Sequence, residues 1–304
     1  MNQPHDAPQP PKITDEDMRK CRESGDYCPI FFEWYKFVGA LCNFFASIRQ
    51  DSPAVREIEP LHYAVLIGLL NRCSRLMLAN AALSHEGLFG ETTGLIDRCI
   101  FESCVKVMWL CHKNTAESFT RFVADGLKTE LELKAKIKSN IATREDNGTL
   151  EIEKRMLASI DRAVASSNLT ESQIADAKKL PDLAAMIDGM GHDRLMYIVF
   201  QKLGSHHVHG TWPSLRMHYL EQNEDGMLRP RDHDCATHVD QYISILFALL
   251  DAMKAYIRFI FSSQDDVAPM ERLIESIDTE IMKLNKEAVG NDFSLAEKNL
   301  THSN

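Results

Sequence analysis

Hydrophobic side chains recur along this chain at the spacing of an α-helix. From residue 31 to residue 48 the apolar positions follow an i, i+3, i+4, i+7 pattern, which places them on one helical face. The same period returns at 66–77, 96–111, 150–164, 239–260 and 270–281. No stretch shows the strict alternation that indicates a strand. The pattern therefore predicts an all-α fold, a single multi-helix bundle, in which the helix at 96–111 is central because it is apolar on most sides.

Short polar motifs predict where some helices begin. Ser52-Pro53 fits a helix start with proline in the first turn. The stretch 114–117 (Asn-Thr-Ala-Glu) fits a capping box that starts at Asn114, and the stretch 170–173 (Thr-Glu-Ser-Gln) fits a second one. Asn147-Gly148 is typical of a β-hairpin turn, but its flanks carry helical charge patterns, so we predict a helical hairpin there.

The organisation of the chain follows from these patterns. Residues 1–12 are rich in proline and glutamine and are predicted to be a disordered N-terminal tail. Residues 13–285 are predicted to form one helical domain, because no Pro/Gly-rich linker divides them. A charged helical hairpin at about 114–168 is expected to project from it. Residues 286–304 are predicted to be a flexible C-terminal tail.

Composition narrows the functional classes. The net charge of −10 makes DNA an unlikely partner, since sequence-independent DNA binding depends on many Lys and Arg contacts to phosphate. The 8 cysteines are dispersed and none forms a Cys-x-x-Cys pair, which favours a reducing compartment. The N-terminus lacks the features of a signal peptide, and charges interrupt every apolar run before membrane length. We therefore expect a cytoplasmic protein without membrane contact.

Histidines are concentrated in one part of the sequence. Of the 12 in the chain, 7 fall between residues 192 and 238. A short helical stripe precedes them, and if that helix continues to Gly210, then Lys202, His206 and His209 share a face. The simplest interpretation is that these histidines interact with the helix dipole in its last turn, and Gly210 is a natural helix stop.

A metal site is the alternative interpretation of the histidine-rich region. His209 and His218, together with Asp232 or Asp234, carry suitable donor groups. The sequence contains neither a His-Glu-x-x-His motif nor Cys/His pairing at zinc-binding spacing. No bound metal and no cofactor are therefore predicted.

Arg98 and Glu102 are the second unusual feature. They lie four residues apart on the most apolar helix, where an isolated charge is costly. Either they pair with each other or with neighbouring helices, or they line a polar pocket with His209 opposite. In the second case Arg98 would hold an anion, and Glu102 would orient a histidine or act as a base. The other predicted ligand-binding side chains are Tyr197, Ser205 and His206.

Two groups of residues carry a resemblance to a known family. Residues 98–102 read Arg-Cys-Ile-Phe-Glu in an apolar helix, and Arg121-Phe122 follows at the start of a charged one. Tyr197 then precedes Ser205 and Val208-His209-Gly210. This order resembles the bacterial helical family catalogued as domain of unknown function 5677, over about residues 60–260. The resemblance implies an all-α fold and no assigned activity.

The Val-His-Gly end is also similar to the HEPN superfamily, many members of which are metal-independent ribonucleases of toxin and antiviral systems. The usual motif of such enzymes is an arginine, often followed by an asparagine, and then a histidine after four to six residues. The arginine binds phosphate, and the histidine assists proton transfer at the RNA 2′-hydroxyl. His209 would match that histidine. No arginine stands at 202–205, so Arg98 would have to supply the charge from another helix, while Arg231 and His238 have the spacing but lack the asparagine.

The leading hypothesis is a helical module that binds a ligand or a protein partner through the Arg98/Glu102/His209 pocket. The alternatives are a HEPN-like ribonuclease, for which RNA would be the partner, and a metal-dependent hydrolase. A homodimer is also predicted, since helical bundles with wide apolar stripes often bury one face against a second copy.

Overall fold

The computed structural model describes residues 7–85, 87–144 and 148–289 and is dominated by helices, which confirms the all-α prediction. The helices are α1 (Asp15–Ser24), α2 (Cys28–Ala46), α3 (Pro60–Ser84), α4 (Gly90–Lys113), α5 (Ala116–Ala142), α6 (Glu151–Ser166), α7 (Glu171–Asp176), α8 (Leu183–Gly189), α9 (Arg194–Tyr197), α10 (Gly204–His209), α11 (Trp212–Ser214), α12 (Val239–Ile260) and α13 (Gln264–Val289). Two π-helical segments span Ile198–Leu203 and Leu215–Tyr219. No helix in the described ranges has the length and apolar character needed to cross a bilayer.

The chain separates into two compact units. The first contains the described residues up to Ile58, those of Leu66–His112 and those from Leu183 onward. The second consists of Glu59–Val65 and Lys113–Asp182, and so includes the charged hairpin that the sequence predicts.

The predicted tails are described only in part. Residues 7–12 have no regular secondary structure, and residues 1–6 lie outside the described residues. At the other end α13 continues to Val289, beyond residue 286 where the sequence predicts the flexible tail to begin. Residues 290–304 lie outside the described residues.

The core of the first unit forms around α2, α4 and α12. Phe31 and Phe45 of α2, Phe101 of α4 and Tyr256 of α12 are completely buried. Helix α4 buries residues on most of its sides, as its apolar composition predicts. Burial of one such aromatic side chain contributes about 1.5–3 kcal/mol to folding, so these helices hold the unit together.

The second unit closes around a small apolar cluster and several ion pairs. Ala124 and Leu127 of α5 pack with Ile174 of α7. Arg144 donates to the carboxylate of Glu153 at the end of the hairpin, with the Nη1 to Oε2 distance at 2.7 Å. Lys134 donates to Asp161 and to the carboxylate of Glu171. Several charges of the hairpin are therefore paired within the unit.

Two predicted helix starts are wrong. The helix expected at Pro53 begins at Pro60, because the preceding residues pair with the end of α12: the backbone N–H of Arg56 donates to Ile260 O at 2.8 Å. Helix α5 is capped by Thr115, whose side chain accepts from the Ser118 N–H, and Asn114 stands outside the helix with φ of 46°. The capping box at Thr170 is confirmed.

A short β-ribbon was not predicted. Strands β1 (Leu220–Gln222) and β2 (Leu228–Pro230) pair antiparallel, with Glu221 opposite Arg229. Gly226 takes φ of 82° in the turn, a conformation that glycine adopts without steric cost. Strands of three residues are too short to produce an alternating pattern, so periodicity could not reveal them.

Candidate functional site

The histidine-rich segment is a helix interrupted by a π-turn. Helix α9 passes into the π-helical segment 198–203 and then into α10, which ends at Gly210 with φ of 54°. Because a π-turn bonds residue i to i+5, it rotates the residues after it relative to an unbroken α-helix. The side chain of His207 is half-buried after this rotation, and His209 is exposed.

The charged pair on α4 has separate partners. In the amide orientation that satisfies both groups, the guanidinium of Arg98 donates to the side-chain oxygen of Gln201, from Nε at 3.1 Å and from Nη2 at 2.8 Å. A Cβ placed on Gly204 would lie 3.3 Å from the Arg98 Cβ, so α10 approaches α4 closely here. Glu102 accepts from Lys106 at 2.6 Å, not from Arg98.

The remaining predicted site residues make local bonds. Ser205 donates from Oγ to Gln201 O at 2.7 Å, and His206 Nδ1 lies 2.7 Å from Thr211 Oγ1. Tyr197 is half-buried. Across the described ranges, no hydrogen bond or ion pair joins any two of Arg98, Glu102 and His209, the residues of the predicted pocket.

A different polar centre forms where α4 begins. The carboxylate of Glu91, only 8% exposed, accepts hydrogen bonds from the hydroxyls of Ser214 and Tyr219. The backbone N–H of Glu91 donates to Asp234 Oδ2 at 2.9 Å. Asp234 Oδ1 accepts from the backbone N–H of Cys235 at 2.7 Å and lies 2.5 Å from Nδ1 of His218. Segments distant in sequence thus converge on the first turn of one helix.

Two imidazoles lie side by side in this centre. His218 is 4% exposed, and its ring meets that of His207 edge to face, with ring centroids 5.0 Å apart. Among the described residues, neither Nε2 of His218 nor Nδ1 of His207 has a hydrogen-bond partner, although both atoms are buried. Buried polar atoms in native proteins are nearly always satisfied, so these two nitrogens need an explanation.

Glycines on α4 make room for the centre. A Cβ on Gly90 would lie 2.6 Å from the Sγ of Cys235, and the Gly90 N–H donates to Cys235 O at 2.8 Å. A Cβ on Gly94 would lie 3.2 Å from Cδ2 of His207. The side chains of Cys235 and His207 therefore pack directly against the backbone of α4.

The electrostatics of the centre follow from burial and these bonds. Although burial alone would raise it, the pKa of Asp234 is lowered by hydrogen bonds from the Glu91 backbone and from His218. The pKa of His207 is lowered by burial and by the neighbouring His218. The pKa of the Cys235 thiol is raised by burial and by Asp234. The arrangement is therefore an ionised carboxylate beside a neutral thiol and a ring that resists protonation.

Asp97 forms a second buried polar cluster, one helical turn beyond the centre. Its Oδ1 accepts from Asn80 Nδ2 at 2.7 Å and lies 3.4 Å from Tyr35 OH, while Gln241 Nε2 lies 3.4 Å from Oδ2. Burial holds the pKa of Asp97 well above its usual range, because no cation faces it among these partners.

Donor atoms in the centre have the composition of a metal site. One nitrogen of His218, an oxygen of Asp234 and the Sγ of Cys235 lie within 4.8 Å of one another, and no other group of three or more such donors occurs in the described residues. The sequence drew attention to His218 and Asp234 as possible ligands but missed Glu91, His207 and Cys235. The adjacent Asp-Cys pair, and glycines spaced four apart on α4, were the available signals.

Comparison with known proteins gives a family but no activity. The model of a family of unknown function, DUF5677, matches residues 63–227, which is more than half of the chain. The match includes α4 from its first turn and both π-helical segments, and ends before Asp234 and Cys235. No curated protein matches the chain, and no solved structure does.

Proposed function

The chain belongs to the DUF5677 family, whose function is unknown, and we propose that it is a metal-binding helical protein with its ion in the centre around His218. The proposed ligand is a divalent transition metal ion of the Zn²⁺ type, which imidazole, carboxylate and thiolate groups all bind.

The observation that carries this proposal is the buried ring of His218, which lies beside further donor groups. A carboxylate oxygen, a thiol sulfur and one ring nitrogen lie within 4.8 Å of one another, and Nε2 of the ring has no hydrogen-bond partner among the described residues. Hydrogen bonds to Asp234 explain why the loop at 234–235 docks on α4. They do not explain why a ring that is 4% exposed retains an unsatisfied nitrogen, whereas a bound ion would satisfy it.

Nucleophilic catalysis by Cys235 is a poorer explanation of the same residues. The attacking species in such enzymes is the thiolate, and reactive cysteines have lowered pKa values. Here the pKa of Cys235 is raised by burial and by the carboxylate of Asp234. The thiol lies 3.5 Å from Nδ1 of His218, but that nitrogen already faces Asp234.

Isothermal titration calorimetry of tag-free, EDTA-stripped protein with Zn²⁺ tests the proposal. We expect one ion to bind per chain, and His218→Ala to lose that binding while its circular dichroism stays helical. His233→Ala is the matched control, because His233 is exposed and lies beside Asp234 in sequence. Absence of stoichiometric binding by the unaltered protein, or full binding by His218→Ala, would contradict it.

The pocket of Arg98, Glu102 and His209 stays a prediction. Its support is the bond from Arg98 to Gln201, which ties α4 to the histidine-bearing helix. The bond of Glu102 to Lys106 and the exposure of His209 favour separate roles. Homodimer formation also stays a prediction, supported by exposed apolar side chains such as Trp212 and Met217, and light scattering is its test.

A further inference from the structure

The two nitrogens of His218 have different environments. Nδ1 lies 2.5 Å from Asp234 Oδ1, and Asp234 also accepts two backbone N–H groups. An ionised carboxylate can only accept hydrogen bonds, so Nδ1 carries the proton that it shares with Asp234. In the neutral ring Nε2 then carries the free lone pair, and this is the buried atom without a partner among the described residues.

The short contact argues against Asp234 and Nδ1 as joint ligands. Two donors on one tetrahedral ion with bonds of about 2.0–2.1 Å are separated by roughly 3.3 Å. The observed 2.5 Å is a hydrogen-bond distance instead. A carboxylate that accepts from one ring nitrogen while the other nitrogen binds metal is a common arrangement, and it fixes the tautomer and the orientation of the ring.

His207 is the candidate for a second ligand. Its Nδ1 is buried and without a partner in the described part of the chain, and its ring centroid lies 5.0 Å from that of His218. With bonds of about 2.0–2.1 Å and a ring nitrogen roughly 1.1 Å from the ring centre, two imidazoles on one tetrahedral ion have centroids about 5 Å apart. The observed spacing is compatible with a shared ion, and it is also usual for two rings in edge-to-face contact.

We infer that the ion is held by Nε2 of His218 and Nδ1 of His207, with solvent in its remaining coordination positions, and that Asp234 orients His218 without binding the metal. This assignment rests on the proposed metal binding and makes it specific. Cys235 is then a neighbour of the site rather than a ligand, and the centre takes a borderline divalent ion through nitrogen donors. The carboxylate of Glu91 stands beside the site, held by Ser214 and Tyr219.

Cobalt substitution distinguishes nitrogen from sulfur ligation. Co²⁺ is titrated into tag-free, EDTA-stripped protein in the presence of a non-thiol reductant, and the visible and near-ultraviolet absorption is recorded. We expect visible ligand-field bands without a thiolate-to-cobalt charge-transfer band. Cys235→Ser should bind with unchanged affinity and spectrum, as should the control His233→Ala.

Variants of the two other residues complete the test. His207→Ala should lose measurable binding, and Asp234→Asn, which removes the charge and one of the two acceptor oxygens, should weaken it about 10–100-fold. Circular dichroism and thermal unfolding check that each variant is folded. A charge-transfer band that disappears in Cys235→Ser, or wild-type affinity in His207→Ala, overturns the ligand assignment while metal binding itself stands. No binding of Co²⁺ or Zn²⁺ by the unaltered protein overturns both.

Discussion

The hairpin of the second unit and the segment from residue 198 to residue 235 are both rich in ionisable side chains, but they use them differently. In the hairpin, cations and carboxylates pair with each other, as Arg144 does with Glu153 and Lys134 with Asp161. In the 198–235 segment, acids and imidazoles gather in a buried centre, and two ring nitrogens stay without partners among the described residues. Ion pairs of this kind stabilise a structural element, whereas two neighbouring buried ring nitrogens without partners beside further donor groups favour a ligand site.

The largest expected effect concerns the second unit, the structural region of this comparison. Ile174→Ala removes a completely buried side chain from the apolar cluster of the second unit and should lower the free energy of unfolding by about 2–5 kcal/mol. Urea denaturation measures the loss. Zn²⁺ affinity of the folded variant should be unchanged, because the proposed site lies in the first unit. A matching loss of affinity would show that the two regions are not independent.

A smaller effect separates the buried acid Asp97 from the proposed site. Its pKa is raised in the folded protein, so the folded state binds a proton that the unfolded state releases above about pH 4. The contribution of Asp97 to stability is therefore greatest at low pH and falls as pH rises towards the folded pKa. Asp97→Asn removes this slope, by up to about 1.4 kcal/mol per pH unit. Thermal unfolding should show that the stability of the variant relative to the wild type is higher at pH 8 than at pH 5. A difference in stability that is the same at both pH values would contradict burial as the cause.

The centre can also be disturbed without removing a ligand side chain. Gly94→Ala places a methyl group about 3.2 Å from Cδ2 of His207, so the ring must shift by a few tenths of an ångström. We expect Zn²⁺ affinity to fall several-fold while helix α4 is unaffected or slightly stabilised, because alanine favours helix more than glycine does. Calorimetry and thermal unfolding measure the two effects. Gly126→Ala, at an open position of α5, is the control and should leave affinity unchanged.

The smallest effect concerns the sequence-predicted pocket. His209 is exposed, so His209→Ala should change the free energy of unfolding by less than about 0.5 kcal/mol. The metal-independent ribonuclease hypothesis predicts RNA cleavage in EDTA that this variant loses. The metal-binding account predicts that RNA incubated with the pure protein in EDTA stays intact. Cleavage that depends on His209 would contradict the metal-binding account and support the predicted pocket as the functional site.

The sequence predicted most of the fold because long amphipathic helices have a strong period. Helices α2, α4, α12 and α13 all contain the apolar stripes from which they were predicted. The helix start at Pro60 was missed because pairing of Arg56 with Ile260 is a tertiary contact that no local motif encodes. The β-ribbon was missed because strands of three residues have no measurable period.

The site was predicted less well, and for a physical reason. An unbroken 3.6-residue period directs attention to His206 and His209, but the π-turn at 198–203 changes the phase and leaves His209 exposed. Glu91 was overlooked because its partners lie more than 120 positions away, and such contacts follow only from the fold. His218 and Asp234 were found by residue type alone.

A crystal structure of the protein grown with Zn²⁺, with anomalous diffraction recorded at the zinc absorption edge, tests the central claim most directly. We expect one anomalous peak per chain, about 2.0–2.1 Å from Nε2 of His218 and from Nδ1 of His207, with Asp234 still bonded to Nδ1 of His218. A peak bound to the Sγ of Cys235 and an oxygen of Asp234 would contradict the ligand assignment. Absence of any peak at His218 would contradict metal binding at this centre.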